Sequence, residues 1–146
     1  MIMNIDQFFS LASGFAGIGW ILILIISPHW KRYDLIVIGI VVMLLAVAYS
    51  ALNFTHFRSD ILEKFSTLNG VMELFSSKPL VMAAWCHILA FDLVVAVWIK
   101  NNSLQYNISH GLLIPSLIFT CILGPLGFLI YLLTRWVKTE NYFAAN

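Results

Sequence analysis

The chain has 146 residues, 61% of them hydrophobic, with 8 Lys or Arg against 7 Asp or Glu and a formal net charge of +1. Soluble domains are ~45–50% apolar and ~25% charged, so this composition excludes an ordinary water-soluble domain and reads as an integral membrane protein. A charge so near zero gives no reason to expect nucleic acid as a partner, and the length suits a single domain spanning 1–146.

The chain opens MIMNIDQFFS, with Asp6 and no Lys or Arg. That start lacks the basic region of a cleavable signal, so the first apolar segment is expected to be retained. Four apolar segments follow one another, about Phe8 to Ile26, Leu35 to Leu52, Pro79 to Ile99 and Leu112 to Leu133. In lipid each must satisfy its own backbone, which makes them helices. About 20 apolar residues cross ~30 Å of hydrocarbon. The expected fold is therefore all-α, an integral membrane four-helix bundle.

Ser27 to Asp34 reads as a short turn, with Pro28 and charges at the boundary and Trp30 and Tyr33 suited to the headgroup belt. Asn53 to Lys78 is the one substantial polar connection. It predicts a helical extension, a break near Asn69-Gly70 and a short interfacial helix before the third span. Lys100 to Gly111 reads as a solvated loop, and the tail after Arg135 as a frayed end. Four spans would put both termini on one side. Lys and Arg total five in the long connection and tail against three in the other two loops, which by the positive-inside rule places both termini in the cytoplasm.

Within the fourth span Ser116, Thr120, Gly124, Gly127, Tyr131 and Thr134 recur at helical spacing. Ser10, Ser13, Gly14 and Gly17 form a smaller stripe in the first span. Small residues on one face let helix backbones approach, so both stripes predict packing seams. Pro125 should kink the fourth span and free a carbonyl near Thr120 to Cys121. Cys86 and Cys121 both fall in spans and read as small hydrophobes, since no paired-cysteine spacing suggests a disulfide or zinc site.

The third span holds the chain's most informative side chains. His87 and Asp92 interrupt an otherwise apolar run, PLVMAAWCHILAFDLVVAVWI. A carboxylate at mid-membrane costs roughly 2.5–3.5 kcal/mol, so it usually faces a partner, a cavity or a ligand. By helical rise His87 lies ~12 Å and Asp92 ~20 Å from the surface where the span begins. Five positions apart, they project ~140° from each other and do not pair directly. Tyr49, Asn53, His56 and Glu73 are expected near His87, whereas His110, His29 and Arg32 are candidates to meet Asp92. Of these, His110 is the best placed. His56 also belongs to a polar stripe, Tyr49, Asn53, His56, Asp60 and Glu63, that otherwise reads as a solvated face. A bis-histidine haem fails on depth, because His87 and His110 would differ by ~18 Å. No spacing supports a metal site, and no cofactor is named by the sequence.

Several runs are together similar to one known family. Leu74-Phe75-Ser76-Ser77, Trp85 to Leu93, Ile108-Ser109-His110-Gly111 and Gly124-Pro125-Leu126-Gly127 occur in an order that resembles the abscisic-acid-deficient-four-like family of small membrane proteins. Phe9 to Ala12, Gly19-Trp20 and Trp30 to Asp34 resemble its bacterial members, which implies a bacterial inner membrane. Ser109 and Ile88 depart from the bacterial pattern, which often has proline and an aromatic residue there.

Plant members are implicated in making neoxanthin from violaxanthin, so the resemblance implies a carotenoid or other hydrophobic isoprenoid as ligand. It carries over His87, Asp92 and His110 as candidate catalytic residues, with Glu73, His56 and Tyr49 as accessories. Opening an epoxide to an allene needs an acid for the oxygen and a base for a carbon-bound proton, roles a buried carboxyl group and a histidine can fill. The alternative is a non-catalytic protein that binds a hydrophobic ligand, or a scaffold for a partner enzyme. The partners implied are the bilayer, the isoprenoid and a second copy of the chain.

Overall fold

In a computed structural model that describes residues 4–56 and 59–140, every regular element is helical and no strand occurs among the described residues. α1 spans Ile5–Ile26, α2 Tyr33–Thr55 and α5 Lys78–Gln105. These three are long and apolar enough to cross a bilayer, and only 17–39% of each apolar window is buried within the protein. Side chains such as Ile25, Leu35, Val47 and Phe91 point outward. A surface this apolar is compatible with lipid around it.

α1 starts in a capping box. Asn4 accepts from the Asp6 and Gln7 amides while Gln7 returns a bond to the Asn4 amide. The last five residues of α1 and Val37–Val42 of α2 are wound as π-helix. The buried face of α1 is Ala12, Ala16, Gly19 and Trp20, not the expected seam of Ser10, Ser13, Gly14 and Gly17. A Cβ added at Gly14 or Gly17 meets nothing within 4 Å. α1 packs on α5 through this other stripe of small residues, which ends in Trp20 and brings Gly19 against Leu93, while the larger Leu11, Phe15 and Ile18 face outward.

Between α2 and α5 lie two short helices, α3 (Ile61–Phe65) and α4 (Leu68–Leu74). The break falls at Ser66-Thr67, one turn earlier than expected, and Gly70 is helical. Thr67 caps α4, its hydroxyl accepting from the Gly70 amide at 3.1 Å, and a good N-cap outweighs the helix-breaking tendency of Asn69-Gly70. Leu62, Phe65, Leu68 and Met72 are exposed, as interfacial helices require.

The largest departure concerns the fourth span. In place of one continuous helix the chain forms α6 (His110–Leu123) and α7 (Pro125–Thr139), which fold back on each other. The Ser116 hydroxyl donates to the Gly127 carbonyl at 2.7 Å, whereas 11 positions of straight helix would separate them by ~16 Å. The reversal sits at Gly124, at φ +30 and ψ −86, a conformation that L side chains rarely adopt. Pro125 then supplies the first residue of α7, where its missing N–H costs nothing. Pro125 does not kink a span; it begins a new helix.

Ser116, Thr120, Gly124, Gly127 and Tyr131 are all buried, as the stripe predicted, but they form the facing sides of two antiparallel arms. A Cβ at Gly127 would collide with the Thr120 amide nitrogen and hydroxyl and with the Ser116 carbonyl. Each arm is ~21–23 Å long, too short for the ~30 Å hydrocarbon core.

The hairpin enters and leaves at the same end of the bundle. His110 meets Lys100, and Tyr131 and Arg135 meet Asn102, all near the C-terminal end of α5. The start of α1 lies at the other end, beside the start of α5, where Phe9 stacks on Trp85. The described chain thus begins and ends at opposite ends of the bundle, in contrast to the arrangement expected from four spans.

Candidate functional site

His87 projects from the first half of α5 toward α2 and the interfacial helices. There a cavity of ≈ 330 Å³ is lined by His87, Tyr49 and Asn53 among apolar side chains that include Ile61, Phe65, Leu74, Phe75 and Leu80. The imidazole stacks on Phe91, with ring centroids 4.5 Å apart, and leans on Tyr49 at 5.5 Å. Asn53 donates its amide to the Tyr49 carbonyl at 2.8 Å, and its side-chain oxygen has no hydrogen bond among the described residues. No hydrogen bond to the His87 ring or the Tyr49 hydroxyl occurs among the described residues. Three polar groups capable of donating and accepting therefore converge in an otherwise apolar pocket.

The other expected accessories are placed elsewhere. His56 is exposed and turned back on its own helix, its Nδ1 3.0 Å from both the Leu52 carbonyl and the Thr55 hydroxyl. Glu73 pairs with Lys64, which also lies 3.4 Å from Asp60. That network ties α3 to α4 beside the cavity without lining it.

Asp92 is partly buried on a different side of α5 and borders the hairpin apex. A Cβ at Gly124 would stand 2.5 Å from Asp92 Oδ1, and Cys121 is within electrostatic reach of the same carboxyl group. No side chain among the described residues hydrogen-bonds Asp92. Its neighbour is the turn of the hairpin rather than His110, and it does not line the His87 cavity.

His110 opens α6 some 20 Å of helical rise from Asp92. Its Nε2 is 2.9 Å from the Leu24 carbonyl, and its Nδ1 is 3.2 Å from Lys100 Nζ. A carbonyl only accepts, so Nε2 carries the proton toward Leu24, and Nδ1 faces Lys100 Nζ. Leu24 belongs to the last turn of α1, where carbonyls lack helical partners. Ser27 satisfies Ile23 in the same way at 2.6 Å, so His110 clamps the hairpin to the end of α1.

The third connection was expected to be a solvated loop, yet α5 continues to Gln105 and buries Lys100, Asn102 and Ser103 under the hairpin. Asn102 Oδ1 accepts from the Tyr131 hydroxyl at 2.6 Å and from Arg135 at 3.0 Å. The Arg135 guanidinium stands over the Tyr106 ring, 5.2 Å from its centroid. The described part of the tail does not fray: it stays helical through Thr139 and buries Arg135, and the remainder, 141–146, lies outside the described residues. Polar residues at helical spacing beyond Ile99 were the available signal, but only the hairpin's return covers them.

Cys86 is buried and Cys121 exposed, and both are free thiols. Among the described residues no three His, Cys, Asp or Glu side chains cluster closely enough to hold a metal ion.

Neither curated proteins nor solved structures give a match. The family described as ABA DEFICIENT 4-like matches over residues 7–131, which covers the three long helices, the His87 cavity and most of the hairpin, and the protein belongs to that family, ABA4-like.

Proposed function

We propose that the protein binds, in the His87 cavity, the polar end of a long hydrophobic molecule, of which a carotenoid or related isoprenoid is the chemical type. The observation that carries this reading is the convergence of His87, Tyr49 and Asn53 in an apolar pocket at one end of the bundle. Ligand sites run from ~300 to ~1,000 Å³, are mostly apolar and use a few placed polar groups for orientation. At ≈ 330 Å³ the cavity takes an oxygenated ring, while the polyene runs out between α2 and α5 among lipid chains.

His87 is the group suited to proton transfer on that ring. With neither nitrogen committed to a neighbour among the described residues, it can accept at one position and donate at the other. Tyr49 supplies a second hydroxyl proton to an epoxide or alcohol oxygen, and Asn53 orients the ring through its carbonyl. Acid–base isomerisation therefore belongs to His87 and Tyr49 in this reading. Asp92, at the hairpin apex, and His110, at the end of α1, lie outside the pocket and take no part in the step.

The test is expression in a carotenoid-producing host, purification, and mass spectrometry of the extracted lipids. An oxygenated carotenoid should co-purify with the wild type and be reduced about tenfold by His87→Ala, while His56→Ala retains it. A chemically altered pigment that appears with the wild type and is lost with His87→Ala assigns catalysis; an unchanged pigment assigns binding alone. Equal pigment content in wild type and His87→Ala would overturn the proposal.

A further inference from the structure

On the opposite flank of Phe75 lies a second cavity of ≈ 350 Å³ that the proposed ligand does not use. Its floor is aromatic: Phe9 and Trp85 stack with centroids 5.4 Å apart and planes inclined by 30°. The Trp85 indole is fixed by donating to the Ser13 hydroxyl at 2.9 Å. Asp6, in the first turn of α1, and Lys78, the first residue of α5, both line this cavity. They do not form an ion pair with each other, and neither has another ion-pair partner among the described residues. Both helices begin at this level, so the two charges stand at the headgroup depth of a bilayer with apolar walls leading inward.

We infer that this cavity is a binding site for a zwitterionic glycerophospholipid whose head carries a primary ammonium. Lys78 takes the phosphate, Asp6 takes the ammonium, and the acyl chains descend along Phe9, Val81 and Met82. Two opposite charges lining one cavity complement a head that bears both signs, whereas an anionic head would meet Asp6 with repulsion. A quaternary ammonium fits less well. It offers Asp6 no N–H, and the faces of Phe9 and Trp85 are turned on each other rather than opened into an aromatic cage.

The full chain, purified in detergent, is titrated separately with phosphatidylethanolamine, phosphatidylcholine and phosphatidylglycerol. Bound lipid is counted by native mass spectrometry, and brominated acyl chains report quenching of tryptophan fluorescence. Wild type should retain phosphatidylethanolamine about fivefold better than either other lipid, the factor that ~1 kcal/mol at an accessible charge pair supplies. Lys78→Gln should weaken all three, and Asp6→Asn should erase the preference over phosphatidylglycerol. Lipid-free melting temperatures of both variants confirm that they are folded.

Equal retention of the three lipids by the wild type would overturn the inference. So would unchanged phosphatidylethanolamine binding in the double variant Asp6→Asn/Lys78→Gln. If Asp6 serves only the N-terminus of α1, its replacement lowers stability equally in every lipid, which also overturns it. None of these outcomes depends on the occupant of the His87 cavity.

Discussion

Replacing Gly127 with alanine adds a single methyl group where α6 and α7 touch. The new Cβ would overlap the Thr120 amide nitrogen, the Thr120 hydroxyl and the Ser116 carbonyl, two of the three belonging to backbone that cannot swing aside. Relief requires the arms to part, which also lengthens the 2.7 Å bond from Ser116 to the Gly127 carbonyl. Overpacking of this kind costs ~1–3 kcal/mol, and a weakened buried hydrogen bond adds ~0.5–1.5 kcal/mol. The helix preference of alanine over glycine returns only ~0.5–1 kcal/mol. At mid-range values the net loss is ~2 kcal/mol, which for a chain of this size lowers the melting temperature by roughly 4–8 °C.

Gly14→Ala is the internal comparison, because its Cβ meets nothing within 4 Å and the helix preference then acts alone, raising the midpoint by about 1–4 °C. Thermal unfolding of the detergent-solubilised full chain, followed by tryptophan fluorescence, measures both. Had the fourth apolar segment been one straight helix, the two variants would behave alike. A Gly127→Ala protein that melts at or above the wild type refutes the hairpin packing.

Gly124→Ala should lose more than Gly127→Ala, since it combines a left-handed φ of +30 with a Cβ 2.5 Å from Asp92 Oδ1. The same melting experiment checks it, and Asp92→Ala in the Gly124→Ala background should recover part of the loss. His110→Ala removes the only hydrogen-bonding side chain on Lys100 Nζ among the described residues and exposes the Leu24 carbonyl; a buried donor left unmade costs ~1–3 kcal/mol, which a lower melting temperature with unchanged pigment content would reveal. Reporter fusions before Asn4 and after Thr139 should report opposite sides of the membrane. With Arg135 and Lys138 returned by the hairpin, five Lys or Arg (with Lys31, Arg32 and Lys100) lie at the hairpin end against Lys64 and Lys78 at the other among the described residues. The positive-inside rule then puts the hairpin end in the cytoplasm, and a cytoplasmic signal from the N-terminal fusion would contradict this.

Composition and the run lengths of apolar residues were enough to read the helices, three of them long and apolar enough to cross a bilayer, and the polar connection before α5, because backbone hydrogen bonding in hydrocarbon allows little else. The Trp85 to Leu93 run pointed to the family, and helical rise alone separated His87 from Asp92. Tyr49 and Asn53 beside His87 were also legible, since all three lie near one end of adjacent antiparallel helices. What no local pattern could decide was whether Leu112 to Leu133 crosses the bilayer or turns within it. A Gly-Pro pair permits a kink and a reversal alike, and a stripe of small residues suits one face of a straight helix as well as the two faces of a closed hairpin. The reversal is selected by contacts distant in sequence: Gly127 against Thr120, His110 on Lys100 and Leu24, Tyr131 and Arg135 on Asn102. Those same contacts bury the polar end of α5, put the last described residues at the end of the bundle opposite the start of α1 and leave Asp92 beside a backbone turn instead of a histidine.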